Sequence, residues 1–380
     1  MSYNEDNATT ESLEQSRSLI GRYLHRKKHN TLASRTAIAH WVSGVGDRNS
    51  LFIDEGYARD SRIGAIVAPP CWLYSVDDTF SPLKFPHLHA VYGGVNWEFE
   101  QWVRVGDEIT ATTRLIRVEE KSGQFCGPMV LQVVETIFYN QRGEGVARAE
   151  SHILRTSRER AVAKDKYRGW SAHTYTREDQ EKLRGAYLNE EIRGHEPRYW
   201  EDTQEGEALP SIVKGPLTPE DLIYFINATR PTLSFGALAK YRKRHPSAFF
   251  RDSDIGMWEP WEASLQLDKA AQSFGFPAAH DCGIDRVSWL GSLITNWMGD
   301  HGFLMRLRVE LKLPNIHGDA TWCKGKVVKR NEASDGCVIE CDVWCENQRG
   351  QTTALGQATV RLPSRKVRPS QVRFPSFPPR

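Results

Sequence analysis

Two kinds of apolar spacing divide the chain. Alternation, or enrichment in β-branched and aromatic residues, marks residues 91–100, 107–117, 129–139 and 145–155 as strands, each bounded by glycine or polar turns. The pattern returns at 306–313, 320–330, 337–346 and 352–362. Between 281 and 298 the period changes: Ile284, Val287, Leu290, Leu293, Ile294, Trp297 and Met298 share one helix face. Thr218 opens a second helix as its N-cap, with Pro219 at the first position and Asp221 as the capping-box acid. Shorter helices read at 18–26, 35–43 and 177–190, and Pro69-Pro70 starts one expected to run to about residue 80. A long apolar helix wrapped by an antiparallel sheet is the natural solution, so the class is α+β.

The second half repeats the first. Residues 218–227 answer to 35–43, 265–271 to 51–58 and 275–281 to 64–70, and Gly318-Asp319 answers to Gly106-Asp107. The last two pairs stand at nearly the same separation, which argues for a duplicated domain. The expected organisation is one domain over 1–160, with residues 1–15 frayed, and a charged linker over 161–215. A second domain spans 216–365, and a proline-rich basic tail spans 366–380. The second copy carries an insertion near 229–254 containing Lys240-Tyr-Arg-Lys-Arg-His245. That basic run reads either as a solvated face or as a partner for phosphate.

Composition changes this picture little. With 380 residues, 39% hydrophobic and 10% aromatic, two cores can be filled. A net charge of +2 gives no reason to expect nucleic acid as a partner. No apolar run approaches the roughly 18 residues of a membrane span, so no membrane partner is expected. The N-terminus is polar and acidic, without the basic and apolar segments of a secretory signal, so the protein is expected to be cytoplasmic. Seven cysteines, odd in number and scattered, argue against a disulfide framework. Cys337, Cys341 and Cys345 fall on one face of a strand, with neighbours roughly 13 Å apart, too far to share an ion. Neither a metal nor another cofactor is expected.

The candidate chemistry begins in the stretch from Ser43 to Asp54, where Asp47 and Asn49 share a short loop. A carboxylate two residues from an amide can hold a water or a polarised carbonyl; it can equally brace the loop. The Gly44-x-Gly46 pair lacks the third glycine and preceding strand of a dinucleotide fingerprint.

This loop resembles that of the MaoC-like, or R-specific enoyl-CoA hydratase, family, whose pattern is Gly-Asp-x-Asn-Pro-x-His-x-Asp. The chain keeps Gly46, Asp47, Asn49 and Asp54 but has Ser50 for the proline and Phe52 for the histidine. With Tyr92-Gly-Gly, Trp97-Glu-Phe and Val105-Gly-Asp107, the first half is similar to the fatty-acid-synthase-type dehydratase domain of such proteins. The second half resembles the MaoC-like domain through Tyr199-Trp-Glu-Asp, Gly215-Pro-Leu-Thr-Pro-Glu-Asp221, Asp285-Arg286-x-x-Trp289-Leu290, Thr295-Asn-Trp-Met-Gly-Asp300 and His317-Gly-Asp319.

The resemblance implies a double hot-dog fold with two antiparallel sheets, each wrapped around a long central helix. It also implies an acyl-CoA or other acyl thioester bound between the halves, and addition or removal of water across a 2-enoyl thioester. An Asp and a His would share the water, and the thioester oxygen would face the N-terminus of the central helix. Further subunits, in a homodimer or hetero-oligomer, are the remaining expected partners. Neither half carries the Asp/His pair, because the second half has Gln266 and Trp261, beside Glu262, at the two positions.

One remedy is a composite site: Asp47 and Asn49 from the first half, with His280 as the proton carrier from the second. His280 can also be a satisfied structural residue. Phe52, Asp281, Gly283 and Arg286 would then border the substrate, Arg286 either facing a phosphate or bracing the fold. The other remedy is Asp47 or Glu262 acting alone through a bound water. His87, His89 and His301 read as scaffold or surface. Trp41, Trp72, Trp97, Trp258, Trp261 and Trp289 as lining residues would suit a bulky acyl group. The competing reading is a non-catalytic module that binds an acyl thioester or partners a catalytic subunit.

Overall fold

The computed structural model describes residues 10–366 except 84, 86–87, 124–126, 165–166, 168, 231–233, 253, 274 and 334–335. His87 and all but the first residue of the proline-rich tail therefore lie outside the described residues. The helices are α1 (Thr10–Arg17), α2 (Arg35–Val45), α3 (Ser50–Ile53), α4 (Glu55–Asp60), α5 (Arg158–Lys164), α6 (Arg177–Leu188), α7 (Pro219–Thr229), α8 (Phe235–Arg244), α9 (Asp268–Gln272) and α10 (Ile284–Met298). The strands are β1 (His89–Phe99), β2 (Thr110–Gly123), β3 (Gly127–Tyr139), β4 (Gly145–Thr156), β5 (Ala208–Lys214), β6 (Phe249–Arg251), β7 (Trp258–Pro260), β8 (Phe303–Leu311), β9 (Thr321–Ala333), β10 (Gly336–Asn347) and β11 (Thr352–Arg361).

The fold is a double hot-dog of the α+β class, as the sequence pattern and the resemblance imply. Its two sheets run into one another. The strand order β2-β3-β4-β1-β8-β11-β10-β9-β5 is one antiparallel sheet, joined where β1 pairs with β8 from Gly94 opposite Glu310 to Glu98 opposite Arg306. At the join the backbones approach so closely that a Cβ at Gly94 would strike the Val309 carbonyl. β6 and β7 form a separate hairpin inside the insertion.

Every residue of α10 is buried. At 1.5 Å per residue its 15 residues run roughly 22 Å through the core. Gly283 precedes it with φ 82°, and Gly299, φ 68°, ends it. Two of its polar side chains show the range of partners: Ser288 donates to the Ile284 carbonyl one turn back at 2.7 Å, and Asn296 donates to Glu190 at 3.0 Å.

Among the described residues, the first half has no equivalent helix. The expected one, from Pro69-Pro70 to about residue 80, is a six-residue 3-10 helix, Pro70–Ser75. The chain then turns on Asp77, a buried carboxylate that accepts from the Thr79 N–H at 2.8 Å and is clamped by Arg26 at 3.1 Å and by Lys28. That charge cluster needs a turn where a helix would continue, and Thr79 takes φ 56° to make it.

Other departures are local. The helix expected over 18–26 lies earlier, as α1. After it the chain turns at Gly21, φ 82°, and runs beside β2, where the Leu24 N–H donates to the Thr113 carbonyl at 2.7 Å. The expected linker carries α6 and β5, the latter extending the sheet beside β9. α7 has the predicted reciprocal capping box between Thr218 and Asp221. It packs on α2, its counterpart in the repeat, through Gly44, where an added Cβ would lie 2.9 Å from Ala228 Cβ.

Candidate active site

A cavity of about 620 Å³ opens between the halves at the N-terminus of α10. Val91, Tyr92 and Gly93 of β1 form one wall and Leu154 of β4 extends it. The opposite side is Trp261, Leu265, Phe276 and the segment from His280 to Ile284. Tyr241 of the inserted α8 and His245, the residue that ends it, complete the lining.

His280 sits in extended backbone, bridged to Ile316, immediately before the helix. Its Nδ1 lies 2.7 Å from the Asp281 carbonyl oxygen. A carbonyl only accepts, so Nδ1 carries the proton and Nε2 of the neutral ring presents a lone pair. Nε2 is buried without a hydrogen-bond partner among the described residues. Burial, helped by the Arg286 charge and opposed by Asp281, lowers the imidazole pKa. The neutral form therefore dominates near pH 7. The ring leans on Phe276 with centroids 4.2 Å apart.

Asp281 and Arg286 brace the fold. Arg286 donates through Nε and Nη2 to the two Asp281 oxygens, at 2.6 and 3.0 Å. Its Nη1 donates to the Leu313 and Thr353 carbonyls, both at 2.6 Å. Burial opposes the guanidinium charge, but Asp281 more than compensates, and its pKa is raised. With these bonds made, the guanidinium holds the loop before α10 against β11.

Gly283 carries no side chain to cap α10, so the helix N-terminus faces the cavity without a side-chain cap. A Cβ at Gly283 would strike Leu311. Beside it, Asp285 accepts from the Cys282 N–H at 3.1 Å and from its thiol at 2.9 Å. Burial first, then the Asp281 charge, push Asp285 up to about 7. The Cys282 thiol is driven well above its usual range by burial and then by Asp285, so it stays protonated and donates.

The Asp47 loop lies elsewhere. Asp47 accepts from the Asn49 N–H at 3.0 Å and from the Ser292 hydroxyl at 2.6 Å, and Asn49 caps α3 by accepting from the Leu51 N–H. Phe52 is 1% exposed in the main core. Ser292 is nine residues beyond Gly283, roughly 13 Å along the helix. The fold thus brings His280, Asp281, Gly283 and Arg286 together and leaves Asp47, Asn49 and Phe52 outside the cavity wall. Of the tryptophans expected to line it, only Trp261 does; Trp41, Trp72 and Trp97 are fully buried in the core.

Other groups in and beside the cavity do not stand out in the sequence. Asp285, next to the lining residues Ile284 and Arg286 but not on the wall itself, has a raised pKa that comes from burial, which local spacing does not report. His89, expected as scaffold or surface, lines the cavity. Arg230 pairs with Asp78 at 3.0 Å and Glu262 at 2.5 Å, and this joins the loop after the first 3-10 helix to the insertion. Tyr92 shares a buried hydroxyl network with Tyr74, Thr79 and Ser151, and burial raises its phenol to about 12.

The comparisons with known proteins agree with this architecture. Residues 18–149 match the family model described as FAS1-like, dehydratase domain region. A solved structure named MaoC-like dehydratase superposes with a TM-score of 0.64 at 15% identity, covering 92% of this chain and 100% of its own. A conserved hypothetical protein from Mycobacterium tuberculosis, described as having a double hot-dog fold, gives 0.55 at 12% identity, covering 91% and 97%. No curated protein sequence matches the chain. The fold is therefore one shared with MaoC-like dehydratases. Within it, the match to the FAS1-like dehydratase model falls in the first half of this chain.

Proposed function

We propose that the protein adds water to, or removes it from, an acyl-CoA thioester, interconverting a 2-enoyl and a 3-hydroxyacyl group. The observation that carries this reading is His280, which lines the cavity shared by both halves just before α10 and whose buried Nε2 has no hydrogen-bond partner among the described residues. In the hydration direction, His280 Nε2 takes a proton from water as the hydroxide oxygen bonds to the β-carbon. Electrons move from the α,β double bond onto the thioester oxygen, where the first-turn N–H groups of α10 stabilise the enolate. The imidazolium then returns the proton to the α-carbon, so one residue serves as base and acid. Asp281 and Arg286 act through position, holding the loop that carries His280. The apolar wall of Val91, Leu154, Trp261 and Phe276 suits a bulky acyl group.

The test is loss of enoyl absorbance on a panel of 2-enoyl-CoA compounds. Turnover should fall at least roughly tenfold in His280→Ala, the usual worth of a general acid or base. Wild-type turnover in that variant would remove His280 from the mechanism. A second reading, a non-catalytic thioester-binding module, is favoured by one observation: Asp47 is bound to Ser292 and leaves His280 without a side-chain carboxylate on Nε2. Tight acyl-CoA binding with no turnover across the panel would select it.

A further inference from the structure

The inserted helix α8 has no buried residue, yet it stands at the rim of the cavity. Its spacing gives it three sides. Tyr241 and His245, four residues apart, line the cavity. Lys240 and Arg244, also four apart, flank that line on one side, and Arg242 flanks it on the other. Lys243 points away from all of them. The Arg242 guanidinium lies 4.0 Å over the Trp258 ring, an indole 40% exposed. Nearby cations are neutralised: Arg230 by Asp78 and Glu262, Lys269 by Asp254. Lys240, Arg242 and Arg244 form no ion pair among the described residues. Three cations without an ion pair and a half-open indole therefore stand beside Tyr241 and His245, the residues of this segment that line the cavity.

We infer that α8 and Trp258 form the site for the phosphorylated nucleotide end of coenzyme A, with Lys240 and Arg244 taking phosphate and the Arg242–Trp258 pair receiving the adenine. This rests on the thioester reading above and adds to it where the carrier is recognised. Clustered Lys and Arg suit phosphate, and Arg also stacks on flat rings. The pantetheine arm then runs from the rim past Tyr241 and His245 toward His280.

Titration calorimetry with coenzyme A, with dephospho-coenzyme A, which lacks the 3′-phosphate, and with pantetheine tests the site independently of turnover. Wild type should bind in that order of falling affinity, and added salt should weaken coenzyme A most. The double variant Lys240→Ala/Arg244→Ala should lose at least about tenfold toward coenzyme A, an effect of the size of one charge-assisted contact, and should no longer distinguish it from dephospho-coenzyme A. Lys243→Ala, on the far face of the same helix, should bind as wild type. The site is refuted if the double variant keeps wild-type affinity, if Lys243→Ala weakens binding equally, or if wild type holds pantetheine as tightly as coenzyme A. The last outcome would leave a pantetheine arm on another carrier as the substrate. Binding as described with no turnover would overturn the hydratase reading and leave this site standing.

Discussion

Replacing Asp47 separates a catalytic carboxylate from a structural one. In the native chain it accepts two hydrogen bonds, from the Asn49 N–H and the Ser292 hydroxyl, and both donors are buried, at 2% and 5% exposure. Asp47→Ala strands both. Leaving a buried donor unsatisfied costs about 1–3 kcal/mol, so the pair should cost about 3 kcal/mol once the relief of desolvating a carboxylate is subtracted. Asp47→Asn is different. Its Oδ1 can accept from Asn49 while its amide donates to the Ser292 oxygen, which holds the loss below about 1 kcal/mol. Urea unfolding followed by tryptophan fluorescence measures both, with an unchanged slope certifying that stability alone moved. Initial rates on 2-enoyl-CoA, corrected for the folded fraction, should stay near wild type in Asp47→Asn. A variant that unfolds like wild type and has lost turnover a hundredfold would refute the reasoning, and Asp47 would have to reach the substrate after all.

Further expectations concern pH and packing. Asp285 is raised to about 7 in the fold, so it stabilises the fold fully below its unfolded pKa near 4 and loses that contribution as pH rises through 7. Asp285→Asn should flatten this part of the stability profile between pH 4 and 8, and parallel profiles would contradict the assignment. His280 has the opposite sign: its lowered pKa makes stability fall as pH drops below about 6.5, and His280→Gln should remove that slope. Gly44→Ala places a methyl 2.9 Å from Ala228 and should destabilise by about 1–3 kcal/mol through overpacking, visible as a lower melting temperature.

The strands and α10 were legible because their apolar periods are strong and local. The first-half helix was misread at Pro69-Pro70: its stop comes from Asp77 clamped by Arg26 and Lys28, residues some fifty positions upstream. Of the candidate site, the sequence marks only part of the cavity wall. His280 and Gly283 stood out because they precede a strongly periodic helix. Asp47 was assigned to the same site from a motif, but which turn of α10 it meets is set by tertiary packing, and it meets Ser292. Asp285 was passed over because a pKa near 7 arises from burial beside Asp281, and neither shows in spacing.

The β1–β8 join has a consequence for how the molecule comes apart. Cutting the chain between the halves would expose the β1 and β8 edges, two rows of unpaired amides flanked by apolar core. Each fragment expressed alone would seek a new edge, by aggregating or by pairing with a copy of itself. In the intact chain, amide exchange should protect Val95 through Trp97 and Leu307 through Val309 as one block that opens together. The two halves that the sequence reads as a repeat should then behave in exchange as one cooperative unit.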